Sequence, residues 1–256
     1  GGRDHIKRNY AMGHRALDEL TTGTGNIAIG QGVLHYSNKD NLIGIGDSAL
    51  HANGLNWIID PQSVENIAIG KSALRHNTVG FRNIAIGYLS MERNLAGGQN
   101  TAIGNYTLQF SHGHLNSALG IYALRNNTTG ERNTAAGANS LEKNTAGSFN
   151  AAYGYLSLTE NTTGQQNTAM GYRAMQANVT GRNNTAIGAN TIYLGDGGDF
   201  NTAVGNMSLL WNEGDYNTAV GDSAMIANRT GDYNTAIGPR ALLFNNDGNQ
   251  NVAVGH

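Results

Sequence analysis

The 256-residue chain contains no cysteine, which excludes a disulfide framework and a thiolate metal site and is compatible with a location outside the cell. Charged residues make up only 13% of the chain and the net charge is −2, so it lacks the basic surface that binds nucleic acid or anionic membranes. No apolar run reaches the roughly 18 residues of a membrane helix. The chain also lacks a starting methionine, and we expect it to be processed or excised from a longer protein.

Large apolar side chains are also scarce. Aromatic residues account for 7% of the chain, while glycine alone contributes 36 residues. A conventional core of leucine and phenylalanine is therefore excluded, and the interior has to be thin and repetitive.

The chain repeats one five-residue motif fifteen times: asparagine, a small residue, alanine, an apolar residue and a closing glycine. Most closing glycines lie 17 residues apart, as Gly154, Gly171 and Gly188 do. A period of this size that continues through the chain is typical of a solenoid, in which each repeat is one unit stacked on its neighbours. We predict one repeat domain over residues 1–256.

Positions are numbered from the closing glycine as zero. Asparagine stands at −4 in fourteen repeats, alanine at −2 in fourteen, and Leu, Met or Ile usually at +4. Two short extended segments, at −4 to −1 and +2 to +5, alternate with turns rich in Asn, Thr and Gly. This pattern predicts an all-β parallel β-solenoid of about fifteen coils of about 17 residues, with two short strands per coil.

Stacked coils would place the asparagines at −4 above one another, about 4.8 Å apart, as a ladder of bonded amides. The ladder positions include Asn83, Asn100, Asn133, Asn167, Asn184, Asn201 and Asn234.

Two kinds of coil depart from the 17-residue length. Where the interval is 16 residues, as before Gly120 and Gly221, we place the missing residue in the turn after +7, where no strand changes its register. The 24-residue interval before Gly70 holds an irregular loop at about 52–64.

Both faces of the predicted strand are apolar, because neighbouring residues of a strand point to opposite sides and both −2 and −1 are apolar. Only one of these faces can line the interior of the coil. We expect the other to pack on further copies of the chain, most simply as a homotrimer around a central seam; the alternative is that turn residues of the same chain cover it.

The segments Asn167–Met175, Ala123–Gly137 and Leu158–Gly171 carry a resemblance to two related groups of fibres. The chain resembles the head domains of trimeric autotransporter adhesins, whose repeats are shorter, and the repeat-rich fibre proteins of tailed phages and bacteria. The resemblance implies a trimeric extracellular fibre, on a bacterial cell surface or a virion, that spaces or presents surfaces for a glycan or protein receptor.

Two features are candidate contact sites. An acidic and aromatic column recurs at −6 and −5 of three successive coils; a sugar would stack on the rings and bond the carboxylates, whereas the structural alternative is a ring ladder that stiffens the solenoid. Its members are Asp199, Phe200, Asp215, Tyr216, Asp232 and Tyr233. The rival site is the loop segment Trp57, Ile58 and Ile59, which could instead fold back over the coil.

The remaining motifs point to turns. His112 and His114 could share a metal ion, but no further ligand has a suitable spacing. The glycine and aspartate segment 193–200 is similar to a calcium loop but occurs once, and we interpret it as a lengthened corner. Asn-X-Thr triplets at Asn127 and Asn161 follow the turn consensus.

No convergent acid, base and nucleophile are found, so we predict neither an enzyme nor a metal or cofactor. The leading hypothesis is a structural and adhesive fibre segment. The first alternative is a subunit that stacks end to end into a filament, since both edges of the repeat look open. The second alternative is ice binding, which needs an exposed threonine array, but position −3 changes to isoleucine at Ile27, Ile43, Ile67 and Ile84.

Overall fold

The structure is a computed structural model that describes residues 8–54, 63–196 and 198–256. It shows an all-β parallel β-solenoid of about 14–15 turns of about 17 residues, which confirms the predicted fold class. The chain forms two compact units, Gly1–Gly130 and Glu131–His256. None of the described segments is a helix long and apolar enough to cross a membrane.

Each unit is built on a ladder of three-residue strands at positions −3 to −1. The first unit contains β1 (Tyr10–Met12), β2 (Ile27–Ile29), β3 (Ile43–Ile45), β4 (Ile67–Ile69), β5 (Ile84–Ile86), β6 (Thr101–Ile103) and β7 (Ser117–Leu119). The second contains β8 (Thr134–Ala136), β9 (Ala151–Tyr153), β10 (Thr168–Met170), β11 (Thr185–Ile187), β12 (Thr202–Val204), β14 (Thr218–Val220), β16 (Thr235–Ile237) and β17 (Val252–Val254). Two-residue strands, β13 (Trp211–Asn212) and β15 (Ala227–Asn228), also occur in the second unit.

Within each unit, neighbouring three-residue strands pair in parallel and equal repeat positions lie opposite each other. Ala169 of β10, for example, pairs with Ala152 of β9 and Ala186 of β11. Because the register is constant, each repeat position forms a continuous column. The alanine column at −2 is buried except in the two terminal strands, where Ala11 is exposed and Ala253 is half-buried.

The prediction of a second strand at +2 to +5 is wrong: in most coils this segment is a turn. The residues at +2 and +4 adopt left-handed backbone angles, as Arg173 (φ 56°) and Met175 (φ 52°) do, whereas a strand requires negative φ. The backbone still bonds between coils, since Met175 N–H donates to the Thr191 carbonyl at 2.9 Å. β13 and β15, which pair with each other, lie later, at +6 and +7.

The left-handed turn also explains the core. In a strand, neighbouring side chains point to opposite faces, but here both Ala174 at +3 and Met175 at +4 are fully buried. The alanine at −2 of the same coil, Ala169, is also fully buried, so the coil contributes two small residues and one larger residue to the interior. Leu158 and Ile192 occupy the same +4 position in neighbouring coils and are also fully buried.

Glycine is required at the closing position by backbone contact between coils. Gly171 has φ 141°, and a Cβ atom there would overlap the carbonyl group of Gly188 in the next coil. Any side chain at this corner would therefore push neighbouring coils apart.

The 16-residue coils shorten where the sequence predicts. In the 17-residue coil, the buried asparagine at +7 and the second glycine are three residues apart, as Asn178 and Gly181 are, and the side chain donates to the glycine carbonyl at 3.2 Å. In the short coil, Asn212 donates to Gly214 only two residues later, at 2.8 Å. Strands β12 and β14 keep their register across this deletion. The centre of the long loop, 55–62, lies outside the described residues.

Candidate functional site

The outward face of the strands, at positions −3 and −1, is an apolar surface on the first unit. Strands β2 to β5 carry isoleucine at both positions, and these side chains are half-buried while the residue between them is fully buried. The eight residues are Ile27, Ile29, Ile43, Ile45, Ile67, Ile69, Ile84 and Ile86. The two faces of each strand thus have separate environments, as the sequence predicts.

The same face of the second unit carries threonine at −3 in most coils and larger apolar residues at −1. Tyr153, Met170 and Ile187 stand above one another in the −1 column and are 42%, 43% and 39% exposed. The alanines at −2 of the same strands are buried. The described residues of this unit therefore leave the −1 column accessible to solvent.

A pair of tyrosines lies beside this column, and the repeat consensus does not predict it. Tyr155 and Tyr172 stand at +1, directly after the closing glycine, and their ring centroids are 6.0 Å apart in a stacked arrangement. Together with Tyr153 and Met170 they form an exposed group that we call the tyrosine patch. Position +1 varies from coil to coil, so a consensus of the repeat does not reveal these tyrosines. An alignment of the coils places them in one column.

The first unit carries a second tyrosine cluster. The Tyr106 ring stacks on Tyr122 with centroids 5.1 Å apart and meets Tyr88 edge to face at 5.3 Å. The Arg125 guanidinium lies over Tyr122, 5.2 Å from the ring centroid. Desolvation, followed by the effects of Tyr88 and Tyr122, raises the pKa of Tyr106.

The aromatic column predicted as a contact site is a stack of parallel rings. The centroids of Phe200 and Tyr216, and of Tyr216 and Tyr233, are 4.8 Å apart, with interplanar angles of 3° and 2°. Both faces of the Tyr216 ring are therefore covered. A sugar that stacks through its CH face needs an open ring face, which only the two ends of this stack offer. The geometry favours the structural alternative of a ring ladder.

The acidic members of the column bond to the backbone of the preceding coil. Asp199 accepts from the Arg182 N–H at 2.7 Å, Asp215 from the Asp199 N–H at 2.7 Å, and Asp232 from the Asp215 N–H at 2.8 Å. Each carboxylate therefore joins two successive coils. This role was not predicted from the sequence.

The asparagines at −4 act mainly through the backbone of the next coil. Asn167 illustrates the pattern: its Nδ2 donates to the Gly181 carbonyl at 2.8 Å, and its Oδ1 accepts from the Asn184 N–H at 3.0 Å. All the ladder residues predicted at this position are buried, namely Asn83, Asn100, Asn133, Asn167, Asn184, Asn201 and Asn234. Each one fixes the corner of the next coil.

The shorter amide-to-amide bonds lie at +7. Asn161 donates to Asn144 at 2.7 Å, and Asn178 donates to Asn161 at 3.0 Å. At −4 the corresponding bond, from Asn167 to Asn150, is 3.1 Å long. The solenoid therefore has two asparagine columns, of which only the −4 column is predicted as a ladder from the sequence.

The two histidines that could share a metal ion accept hydrogen bonds from the backbone. The Nδ1 atoms of His112 and His114 accept hydrogen bonds from the N–H groups of Leu95 and Gly98, at 3.3 and 3.0 Å. These nitrogens are therefore occupied. Within the described part of the chain, the group of potential metal ligands lies elsewhere, at Asp18, Glu19 and His35, whose ligand atoms are all within 4.8 Å of one another.

The remaining motifs are turns in the described residues. Both Asp196 carboxylate oxygens bond Thr180 of the preceding coil, one to its N–H at 2.8 Å and one to its hydroxyl at 2.7 Å. Asn127 and Asn161 of the Asn-X-Thr triplets are fully buried and bond the glycine carbonyl three residues later. The contact residues predicted at Trp57, Ile58 and Ile59 lie outside the described residues.

No protein-family model matches the chain, and no similar protein is found among the curated proteins.

Proposed function

We propose that the chain is a non-enzymatic structural segment of an extracellular fibre, on a bacterial surface or a virion, in which copies pack through their outward strand faces as a homotrimer. The observation that carries the proposal is the exposed apolar column at −1, with Met170 and Ile187 about two-fifths exposed over a fully buried alanine column.

The length of this face supports burial against another chain. Strand spacing is about 4.8 Å, so the eight strands of the second unit present a −1 column about 34 Å long. An apolar patch that continues along a surface in this way is often functional.

The fibre resemblance supports a trimer, and the constant register supports packing between copies, because a column of equal positions fits the same column of an identical chain. In such a fibre the tyrosine patch has one of two roles. If the contact between copies ends at the −1 column, the patch is available for a glycan or protein receptor; if the contact reaches further around the coil, the patch is part of it.

Charged substitutions in the −1 column test the proposal. We expect the double variant Met170→Glu, Ile187→Glu to separate the copies, since carboxylates would be buried in the seam. The matched control is Gln165→Glu, Gln166→Glu, which adds two carboxylates at exposed turn positions of the same unit. Light scattering should give a trimer for the parent and the control, and a 27.0 kDa monomer for the column variant with an unchanged circular dichroism spectrum.

A column variant that keeps the mass of the parent would refute packing through this face. A mass that rises steadily with concentration would instead favour the filament alternative.

One observation favours ice binding as a second candidate. Thr168, Thr185 and Thr202 lie opposite one another on the outward face, and Thr218 and Thr235 continue the column. This gives a regular threonine array in the second unit, whereas strands β2 to β5 of the first unit have isoleucine there. A thermal-hysteresis assay separates the two functions, because the fibre proposal predicts no effect on ice growth.

A further inference from the structure

We propose that Asp18, Glu19 and His35 in the first unit form a binding site for a divalent transition-metal cation such as Zn²⁺. Asp18 and His35 stand at the same repeat position, +5, of successive coils, and Glu19 follows Asp18. The constant register therefore brings two carboxylates and one imidazole together. This proposal is independent of the proposed fibre function.

The histidine is the most informative member of the group. His35 is 4% exposed, and its Nδ1 atom has no hydrogen-bond partner among the described residues. A buried polar atom without a partner is unfavourable, because it has lost its hydrogen bonds to water. The Nδ1 atom lies 3.8 Å from the Asp18 Oδ2 atom, which is beyond hydrogen-bond distance. A shared cation would satisfy both atoms.

The next histidine in the column shows the alternative arrangement. His51 stacks on His35 with ring centroids 5.3 Å apart, but its Nδ1 lies 2.8 Å from the Gly32 carbonyl oxygen. Since a carbonyl only accepts, the His51 Nδ1 carries the proton and donates. Among the described residues the His35 Nδ1 has no such acceptor, and it lies 3.8 Å from the Asp18 carboxylate instead.

The separations suit first-row divalent cations. Zn²⁺ binds imidazole nitrogen and carboxylate oxygen at about 2.0–2.2 Å, so two ligands at a tetrahedral angle lie about 3.4 Å apart. The observed 3.8 Å between His35 and Asp18 is a few tenths of an ångström wider, and the largest separation in the group is within 4.8 Å. Asp18 and Glu19 are exposed, so their side chains can close this difference without moving the backbone.

A surface groove borders the group at Glu19. It has a volume of about 530 Å³ and is also lined by Tyr36, Asn38 and Lys39. A cation can reach Glu19 through this groove, and Asp18 is itself exposed to solvent. The groove also has room for a water molecule as the fourth ligand, which a three-residue zinc site requires.

Titration calorimetry of the purified chain with ZnCl₂ tests the site. We expect one Zn²⁺ per chain for the parent, an affinity at least about tenfold lower for Asp18→Asn and for Glu19→Gln, and no binding for His35→Gln. The first two substitutions change exposed side chains to isosteres, so loss of folding does not explain their effect. Zn²⁺ should also raise the unfolding temperature of the parent.

Two matched controls complete the experiment. Asp47→Asn changes an exposed carboxylate of the same unit, and His112→Gln changes a histidine whose Nδ1 accepts from the backbone. Both should bind Zn²⁺ as the parent does. The proposal is overturned if the parent binds no Zn²⁺, if Asp18→Asn and Glu19→Gln bind as tightly as the parent, or if His112→Gln removes the binding.

Discussion

Replacing Asn167 by alanine tests how the coils are held together. The substitution leaves the buried Asn184 N–H without its acceptor, and it takes from the Gly181 carbonyl one of its two donors, while Asn178 still donates at 3.2 Å. An unpaired buried N–H costs about 1–3 kcal/mol. The lost bonds to the Gly181 carbonyl and, at 3.1 Å, to the Asn150 Oδ1 atom leave acceptors that keep another donor, and together they add about 1 kcal/mol. We expect the free energy of unfolding of the second unit to fall by about 2–4 kcal/mol.

The matched control is Asn206→Ala in the same unit. Asn206 is exposed and donates to the Asp222 carboxylate at 3.2 Å, so its removal leaves no buried group unpaired. Substitutions of this kind usually change stability by less than about 0.5 kcal/mol. Urea denaturation followed by circular dichroism should separate the two variants clearly.

Long repeat arrays do not always unfold in one step, so a local measurement is also needed. Hydrogen exchange gives it, because the Asn184 amide loses its acceptor in Asn167→Ala and should exchange faster than in the parent. An Asn167→Ala protein with the stability of Asn206→Ala and a protected Asn184 amide would refute the role assigned to the −4 column.

Three further substitutions test the coil. Gly171→Ala should cost about 1–3 kcal/mol from backbone strain and about 1–3 kcal/mol from overlap with Gly188. The control Gly255→Ala has φ 127° but nothing within 4 Å of the added Cβ, so it should cost only the strain. Equal costs in thermal unfolding would contradict the contact between coils. Leu158→Ala removes a fully buried side chain and should cost about 2–5 kcal/mol. In the same denaturation assay, Leu156→Ala changes a half-buried side chain and should cost less than about 1 kcal/mol. Tyr216→Ala removes two stacked ring contacts and should cost about 1–3 kcal/mol; an unchanged melting temperature would show that the stack adds no stability.

The strand ladder could be predicted because its causes are visible in the sequence. The alanine at −2 is small enough for a thin interior, and the constant spacing of Gly171 and Gly188 fixes the register of neighbouring coils. The missing residue before Gly221 could also be placed correctly, since Asn212 and the second glycine mark both sides of the turn.

The turn at +2 to +5 could not be predicted in the same way. Arg173 and Met175 adopt left-handed φ, although nothing in a long side chain favours that conformation. The contacts of neighbouring coils impose it, and they depend on tertiary structure. The acidic and histidine group was missed for another reason: Asp18 and His35 are 17 residues apart and meet only when the coils are written in register.

The mass of the purified parent chain in solution tests most directly whether other copies of the chain bury the outward apolar face. Light scattering across a tenfold range of concentration should give three times 27.0 kDa, about 81 kDa, at every concentration. A constant mass of 27.0 kDa would show that the exposed −1 column of Met170 and Ile187 needs no partner, and would contradict the account.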